Sequence, residues 1–305
     1  MISRAPVALF VHARVDHTTK VINALKLNEL ADLTELYIFS DGARTDEDEK
    51  IKVASIRTLI SNIEGFKKVE VVERQKNYGL KKNIVDGISY VLAKHENVIV
   101  LEDDIVTKPT FLINMNTYLN KYKQCDDIWH ISAWNIGVDG DYDCFKSHFM
   151  SCWGWATWSD RWQKLELDPL VIIKQMTIND RYKFNLNGSY PFFSHIIANL
   201  MKKRNTWAVF WAATIFINGG KTITPTISEI SNIGMDGSGT HNAIDFQQEV
   251  FENKTRINSA EESTRVEKVL SSIFKSRLSN KDEVKMLLYA LLPTFIYILV
   301  AKFKK

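Results

Sequence analysis

The 305-residue chain is poor in the features that mark several protein classes. Its three cysteines, Cys125, Cys144 and Cys152, are an odd number without a CxxC pair. That argues against a disulfide framework or a zinc knuckle and fits a reducing, cytosolic setting. There is no internal repeat and no low-complexity tract. The first residues, MISRAPVALFVHARVDH, hold only a short apolar run broken by His12 and Arg14, without the apolar core and small-residue cleavage site of a secretory leader. They read instead as a first buried strand. Strong charge is lacking too: 39 Lys+Arg stand against 36 Asp+Glu. Residues 276–305 hold six basic residues against Asp282 and Glu283, so the remaining 275 residues net −1. A body of that sign is not built for nucleic acid. One further absence is local: no Asp or Glu lies between Arg181 and Ser228.

What is present is ordinary globular composition, 45% apolar and 25% charged, at a length that suits one large domain or two smaller ones. The first 105 residues alternate between short apolar runs and amphipathic stretches. Pro6 to His12, Leu36 to Phe39, Val69 to Glu73 and Val98 to Leu101 read as strands. Helices are expected over about Thr18–Ala31, from the Ser40-Asp41-Gly42 turn to about Asn62, over Gly79–Lys94, and over Thr107–Tyr122 with Pro109 in its first turn. This alternation predicts an α/β fold with a parallel sheet flanked by helices. In such sheets ligands sit beyond the carboxyl ends of the strands. His12/Arg14, Ser40/Asp41 and Glu102/Asp103/Asp104 all fall there.

Six of the eight tryptophans lie between residues 129 and 162. Part of that density suits a packed core. Sugar faces also pack well on indole rings, which makes Trp134, Trp155 and Trp158, with Trp207 downstream, candidates to bind a carbohydrate acceptor. Residues 284–305 read as a separate C-terminal unit: Met286 to Ala301 carries no charge, contains Pro293 and is flanked by Lys285, Lys302, Lys304 and Lys305. It is short of the ~20 residues of a spanning helix. A helix packed on the body, a basic-ended anchor on an anionic membrane surface and a true span all remain open.

Glu102-Asp103-Asp104 is the most informative cluster. Adjacent carboxylates repel one another, so gathering them calls for a compensating cation. Oxygen ligands at the end of a buried strand suit Mg²⁺ or Mn²⁺ held jointly with a diphosphate. Asn232–His241, NIGMDGSGTH, is glycine-rich and reads either as a tight turn or as a lid that closes on a ligand.

VIVLEDDIVTKPTFL, with IWHISAWN and CWGWATWSDRW, resembles the DXD-containing GT-A glycosyltransferases, in particular the N-acetylglucosaminyltransferase I group and bacterial relatives near glycosyltransferase family 2. WAVFWAATIFINGGKTITPTISEISNIGMDGSGTHN is similar to the closing part of those bacterial enzymes, and matching motifs run from about Pro6 to Asn242. The resemblance implies a metal-assisted transfer from a nucleotide sugar by a catalytic domain over 1–255, with a nucleotide half (1–105) and an acceptor half (106–255). A helical linker over 256–283 and the tail follow. It implies that Asp104 binds the metal, with His241 as a further ligand, and that Glu102 and Asp103 contact the ribose or donor sugar. Val11, His12, Arg14, Ser40 and Asp41 would meet the nucleoside, and Lys82 and Asn83 the donor, where a lysine neutralises phosphate charge.

An inverting transfer also needs a carboxylate to take the acceptor proton. The group supplies it from a WDDW-type segment, whose counterpart here, Trp207 to Trp211, has no acid. Asp236 is the first substitute, then Glu229, then Asp160. If none serves, a retaining mechanism without a dedicated base is the alternative. The expected function is therefore sugar transfer, from UDP on family grounds, to a glycan or lipid-linked acceptor of bacterial surface polysaccharide synthesis, by a peripheral enzyme on the cytoplasmic face of the inner membrane. A carbohydrate-binding or scaffold protein that kept the fold and lost catalysis is the competing expectation. A nucleotidyltransferase would need a glycine-rich loop after the first strand, and VHARVDHTTK has no glycine.

Overall fold

The computed structural model describes residues 4–140, 142–236, 255–257, 263–276 and 278–302. The strands are β1 (Val7–Val11), β2 (Glu35–Ser40), β3 (Lys68–Glu73), β4 (Asn97–Glu102), β5 (Ile105–Thr107), β6 (Ile128–Ser132), β7 (Val138–Gly140), β8 (Cys144–Ser147), β9 (Trp155–Trp158), β10 (Lys221–Pro225), β11 (Ile230–Asn232) and β12 (Thr255–Ile257). Among them run α1 (Val15–Lys26), α2 (Glu47–Ile60), α3 (Leu80–Leu92), α4 (Phe111–Lys121), α5 (Ser159–Trp162), α6 (Pro169–Gln175), α7 (Ile178–Phe184), α8 (Phe192–Leu200) and α9 (Ala208–Ile217). After β12 come α10 (Ser263–Lys275), α11 (Asn280–Leu291) and α12 (Thr294–Lys302).

Eight strands form one sheet in the order β3-β2-β1-β4-β9-β6-β10-β8. Six run one way, while β9 and β8 run against them. This is the mixed, mainly parallel α/β architecture that the GT-A resemblance implies; the alternation by itself predicts its parallel part. β1 is buried along its whole length and β4 along all but its last residue, because helices cover both faces and each strand offers an unbroken apolar run. Registers Phe10↔Glu102 and Val11↔Ser40 bring the carboxyl ends of β1, β2 and β4 to one edge. The helix expected from Thr107 starts later: Ile105–Thr107 pairs with β11 instead, and Pro109 precedes α4.

The C-terminal segments are not independent of this body. α10, within the expected linker, buries Val266, Leu270 and Phe274 in the main core. α11 packs on α8 and α12 on α6, and Tyr297 is buried. The two helices meet at 94° around Pro293, which lacks an N–H and disfavours helix in the residue before it. Arg181 of α7, 1% exposed, holds that break: it donates to Leu292 O and to Thr294 Oγ1, both at 2.7 Å. Among the described residues no single helix is long and apolar enough to cross a membrane. Outward, Val284, Leu287, Leu288, Leu291, Phe295 and Leu299 form an exposed apolar face.

Candidate active site

The acidic turn at the end of β4 is the centre of the site. Asp103 is buried and Asp104 partly so. Arg14, just after β1, bridges them, its Nη2 donating to Asp103 Oδ1 and, at 2.8 Å, to Asp104 Oδ2. Burial opposes the charge on Arg14, but the two carboxylates more than offset it and hold the guanidinium protonated. Burial raises the pKa of Asp103, with Arg14 pulling the other way. Burial and then the charges of Asp104 and Asp103 push the Glu102 carboxyl up to about 8.

One guanidinium therefore faces three carboxylates, and the donor set is all hard oxygen, so the cluster fits Mg²⁺ or Mn²⁺. Among the described residues no group of three or more His, Cys, Asp or Glu is arranged to hold a metal ion by itself. An open carboxylate site of this kind suits a cation that shares its shell with phosphate oxygens. Asp104, the more exposed of the two aspartates, would hold it.

Its raised pKa makes Glu102 lower the stability of the fold as pH rises. A group whose folded pKa is raised stabilises fully below its unfolded value, near 4.5, and that contribution is lost as pH rises through about 8. Glu102→Gln should therefore match the native chain near pH 4.5. Above pH 8, without divalent ions, it should be the more stable of the two. Thermal melts across that range with a chelator measure it; parallel curves for the two proteins would refute it.

A second segment closes over the turn. Pairing of β11 with β5 puts Asn232 opposite Ile105, and Ile233 N donates to Asp104 O at 2.9 Å. Gly234 then lies against the carboxylate. A Cβ there would stand 2.3 Å from Asp104 Oδ2 and 3.0 Å from Arg14 Nη1. Only glycine allows that approach. Asp236, two residues on, lies 3.2 Å from Nε2 of His17 on α1, and the same nitrogen is 3.2 Å from Ile233 O. His17 was not among the sequence candidates, although it follows Arg14 by three residues and so enters the first turn of the same helix. His241 lies outside the described residues.

Other candidates are placed differently. Val11 and Ser40 sit buried at the strand ends. His12 contacts Glu49 Oε1 and Gly42 O, each at 3.2 Å. Asp41 commits its carboxylate to the fold, accepting from the N–H groups of Gly42, Tyr78 and Gly79 and so pinning the β2 turn to the start of α3. Asn83 is buried and accepts from Arg74 Nε. Lys82 points outward and pairs with Asp86 at 2.5 Å.

Two base candidates are corrected. Glu229 is buried, and its two oxygens accept from Thr110 Oγ1 (2.7 Å) and Asn114 Nδ2 (2.9 Å), fastening the start of α4. Asp160 follows β9, whose antiparallel register sets Trp158 opposite Asn97 at the start of β4. It therefore lies at the opposite edge of the sheet from Glu102.

The indoles are corrected as well. Trp155 and Trp158 are 0% and 2% exposed, and Trp207 is buried against the Trp155 ring. No sugar can stack on them; they are core. Beneath them His130 is fully buried and neutral, its pKa pushed down to about 3 by burial. It accepts from Trp211 Nε1 and donates to Ser151 O. Trp134 is also buried but packs on the partly exposed Trp153, ring centroids 4.4 Å apart. Gly154, next in the chain, takes a positive φ of 62°, and a Cβ there would stand 3.1 Å from Ile230 and 3.4 Å from Ile105.

No family model matches the chain, and no curated protein does. Solved structures resemble it at low identity. A 1–349 fragment of S. aureus TarS in complex with UDP is 11% identical over 93% of this chain and 70% of that one, TM-score 0.43. The mannosyltransferase PcManGT from Pyrobaculum calidifontis, in complex with GDP-Man and Mn²⁺, is 11% identical over 99% and 87%, TM-score 0.40. A longer S. aureus TarS chain is 16% identical over 45% of this chain, which spans 22% of its length, TM-score 0.30. These are likenesses of chain path; what the site can do follows from its own residues.

Proposed function

We propose that the chain is a metal-dependent glycosyltransferase of the GT-A type, moving a hexosyl or N-acetylhexosaminyl group from a nucleotide sugar to a glycan or lipid-linked oligosaccharide. The observation that carries this reading is the acidic turn at the carboxyl end of β4, bridged by Arg14 and covered by the turn at Gly234. A divalent cation at Asp104 would supply charge neutralisation for a leaving diphosphate. The chain's own groups do the rest. Arg14 is placed to meet phosphate oxygens once it exchanges a carboxylate for them. The buried ends of β1 and β2 wall the nucleoside side. Of the three candidate bases only Asp236 is brought to the turn, where its carboxylate can take the acceptor proton with His17 fixing its position. A base there supports inversion.

The acceptor belongs, in this reading, to bacterial surface polysaccharide synthesis, such as O-antigen, capsule or lipopolysaccharide. The enzyme sits peripherally at the cytoplasmic face of the inner membrane. The exposed apolar face of α11 and α12, with Lys281, Lys285 and Lys302 on the same helices, supports a surface anchor. UDP is the expected carrier. Calorimetric titration with UDP and with GDP, each with and without Mn²⁺, tests the donor site. Mn²⁺-dependent binding of UDP should weaken at least about 100-fold in Asp104→Asn. Binding of neither nucleotide under any metal condition would make the non-catalytic carbohydrate binder the better account.

A further inference from the structure

The 46 residues from Tyr182 to Ile227 contain no acid but hold Lys183, Lys202, Lys203, Arg204 and Lys221. Three of those cations are consecutive on the turn that ends α8. Lys202 there takes a left-handed backbone (φ 55), uncommon for a residue with a Cβ, and Lys203 N returns to Ala198 O at 2.9 Å. The fold sets this turn beside Lys81 in the first turn of α3. Lys81, Lys202, Lys203 and Arg204 line an open cleft of about 430 Å³, with Pro169 and Phe210 among its apolar walls and no carboxylate in its lining.

Lys81 is the residue that needs an explanation. Its stem is half-buried, and its Nζ stands 4.0 Å from the centroid of the Phe210 ring. Burial pulls its pKa down, and no neighbouring carboxylate offsets that. The ring face returns part of the lost hydration. Three further cations line the same cleft. An anion entering it would offset the burial penalty on Lys81, and the planar guanidinium of Arg204 suits a tetrahedral oxyanion with two oxygens on one face. The cleft is far too small for a duplex but ample for a phosphoester with its sugar or polyol.

We propose that this cleft binds a phosphoryl group carried by the acceptor, a sugar or polyol phosphoester. The acid-free stretch is then an anion-recognition surface rather than the mark of a lost base. The acceptor role rests on the glycosyltransferase reading; the anion site does not.

The full chain is titrated calorimetrically with sn-glycerol 3-phosphate and, separately, with UDP and Mn²⁺. Its flotation is measured with phosphatidylcholine vesicles with and without phosphatidylglycerol. The comparison variant is Lys203→Gln/Arg204→Gln, whose two side chains are exposed, so its thermal melt should match the native one. Glycerol phosphate should bind, more weakly at higher salt, with affinity reduced about tenfold or more in the double variant. Absence of binding, or equal affinity in both proteins, would overturn the proposal. So would cation-dependent flotation on phosphatidylglycerol without glycerol phosphate binding, which would assign these residues to a lipid surface. Glycerol phosphate binding in a chain that binds no nucleotide would overturn the acceptor role and leave the anion site standing.

Discussion

Asp236→Asn should lower turnover by about 10²–10⁴-fold while leaving Mn²⁺-dependent nucleotide affinity unchanged. The side chain is half exposed and lies two residues beyond Gly234, which packs on Asp104; in the proposed reading it takes the acceptor proton. It is absent from the acidic turn itself, so its loss should spare donor binding. Asparagine keeps the shape and the contact with His17 but cannot take a proton. Single-turnover kinetics beside calorimetry separate the two quantities. Native turnover in this variant would remove Asp236 as the base and bring forward a retaining mechanism. His17→Ala offers a cross-check. It should lower turnover less and disturb donor affinity as well, because it loosens Ile233 and with it the backbone bond to Asp104.

Arg181→Ala should destabilise the fold by about 3–5 kcal/mol, a large share of what a typical domain has. The guanidinium is buried with no carboxylate partner among the described residues, and burial holds its pKa below the usual arginine value. What it supplies is donors: Leu292 O and Thr294 Oγ1 at the helix break depend on it. It also lies over the rings of Phe193 and Tyr297, at 4.9 and 5.6 Å. Truncation leaves partly buried acceptors unmatched, at about 1–3 kcal/mol each, and opens a cavity among those rings. Arg181→Met refills most of the volume without restoring donors, so it should fall between alanine and the native chain. Chemical denaturation of all three measures the series. Equal stability of alanine and native proteins would mean that the tail is held by apolar packing alone.

The first half of the sheet was legible in the sequence because β1, β2 and β4 are built on short apolar runs, and Glu102-Asp103-Asp104 was legible because three acids interrupt such a run at its end. Arg14 was also found, although its contact with Asp103 and Asp104 spans about ninety positions. What the sequence hid was side-chain direction. Trp155 and Trp158 look the same in one dimension whether they face a cleft or a core. Their burial follows from β9 running antiparallel between β4 and β6, a register that no local pattern announces. Glu229 was missed as a helix fastener for the same reason: its partners Thr110 and Asn114 are more than a hundred residues away. The tail read as separate because Met286–Ala301 is apolar on all sides. Its inner contacts become visible only once Arg181, buried among rings, is seen to donate to the break at Pro293.

That donation also sets an order in time. Arg181 leaves the ribosome 111 residues before Leu292, the carbonyl it must meet. At about 5–20 residues per second the interval is on the order of ten seconds. Throughout it the guanidinium must stay hydrated, which keeps α7 from sinking among Phe193 and its neighbours. The parallel half of the sheet can close early, whereas the helical layer around α6 to α9 completes only when Leu292 and Thr294 arrive. A transcript cut short before codon 292 would therefore yield a protein with a finished sheet and an arginine stranded over an open apolar layer, the kind of surface that chaperones and proteases recognise.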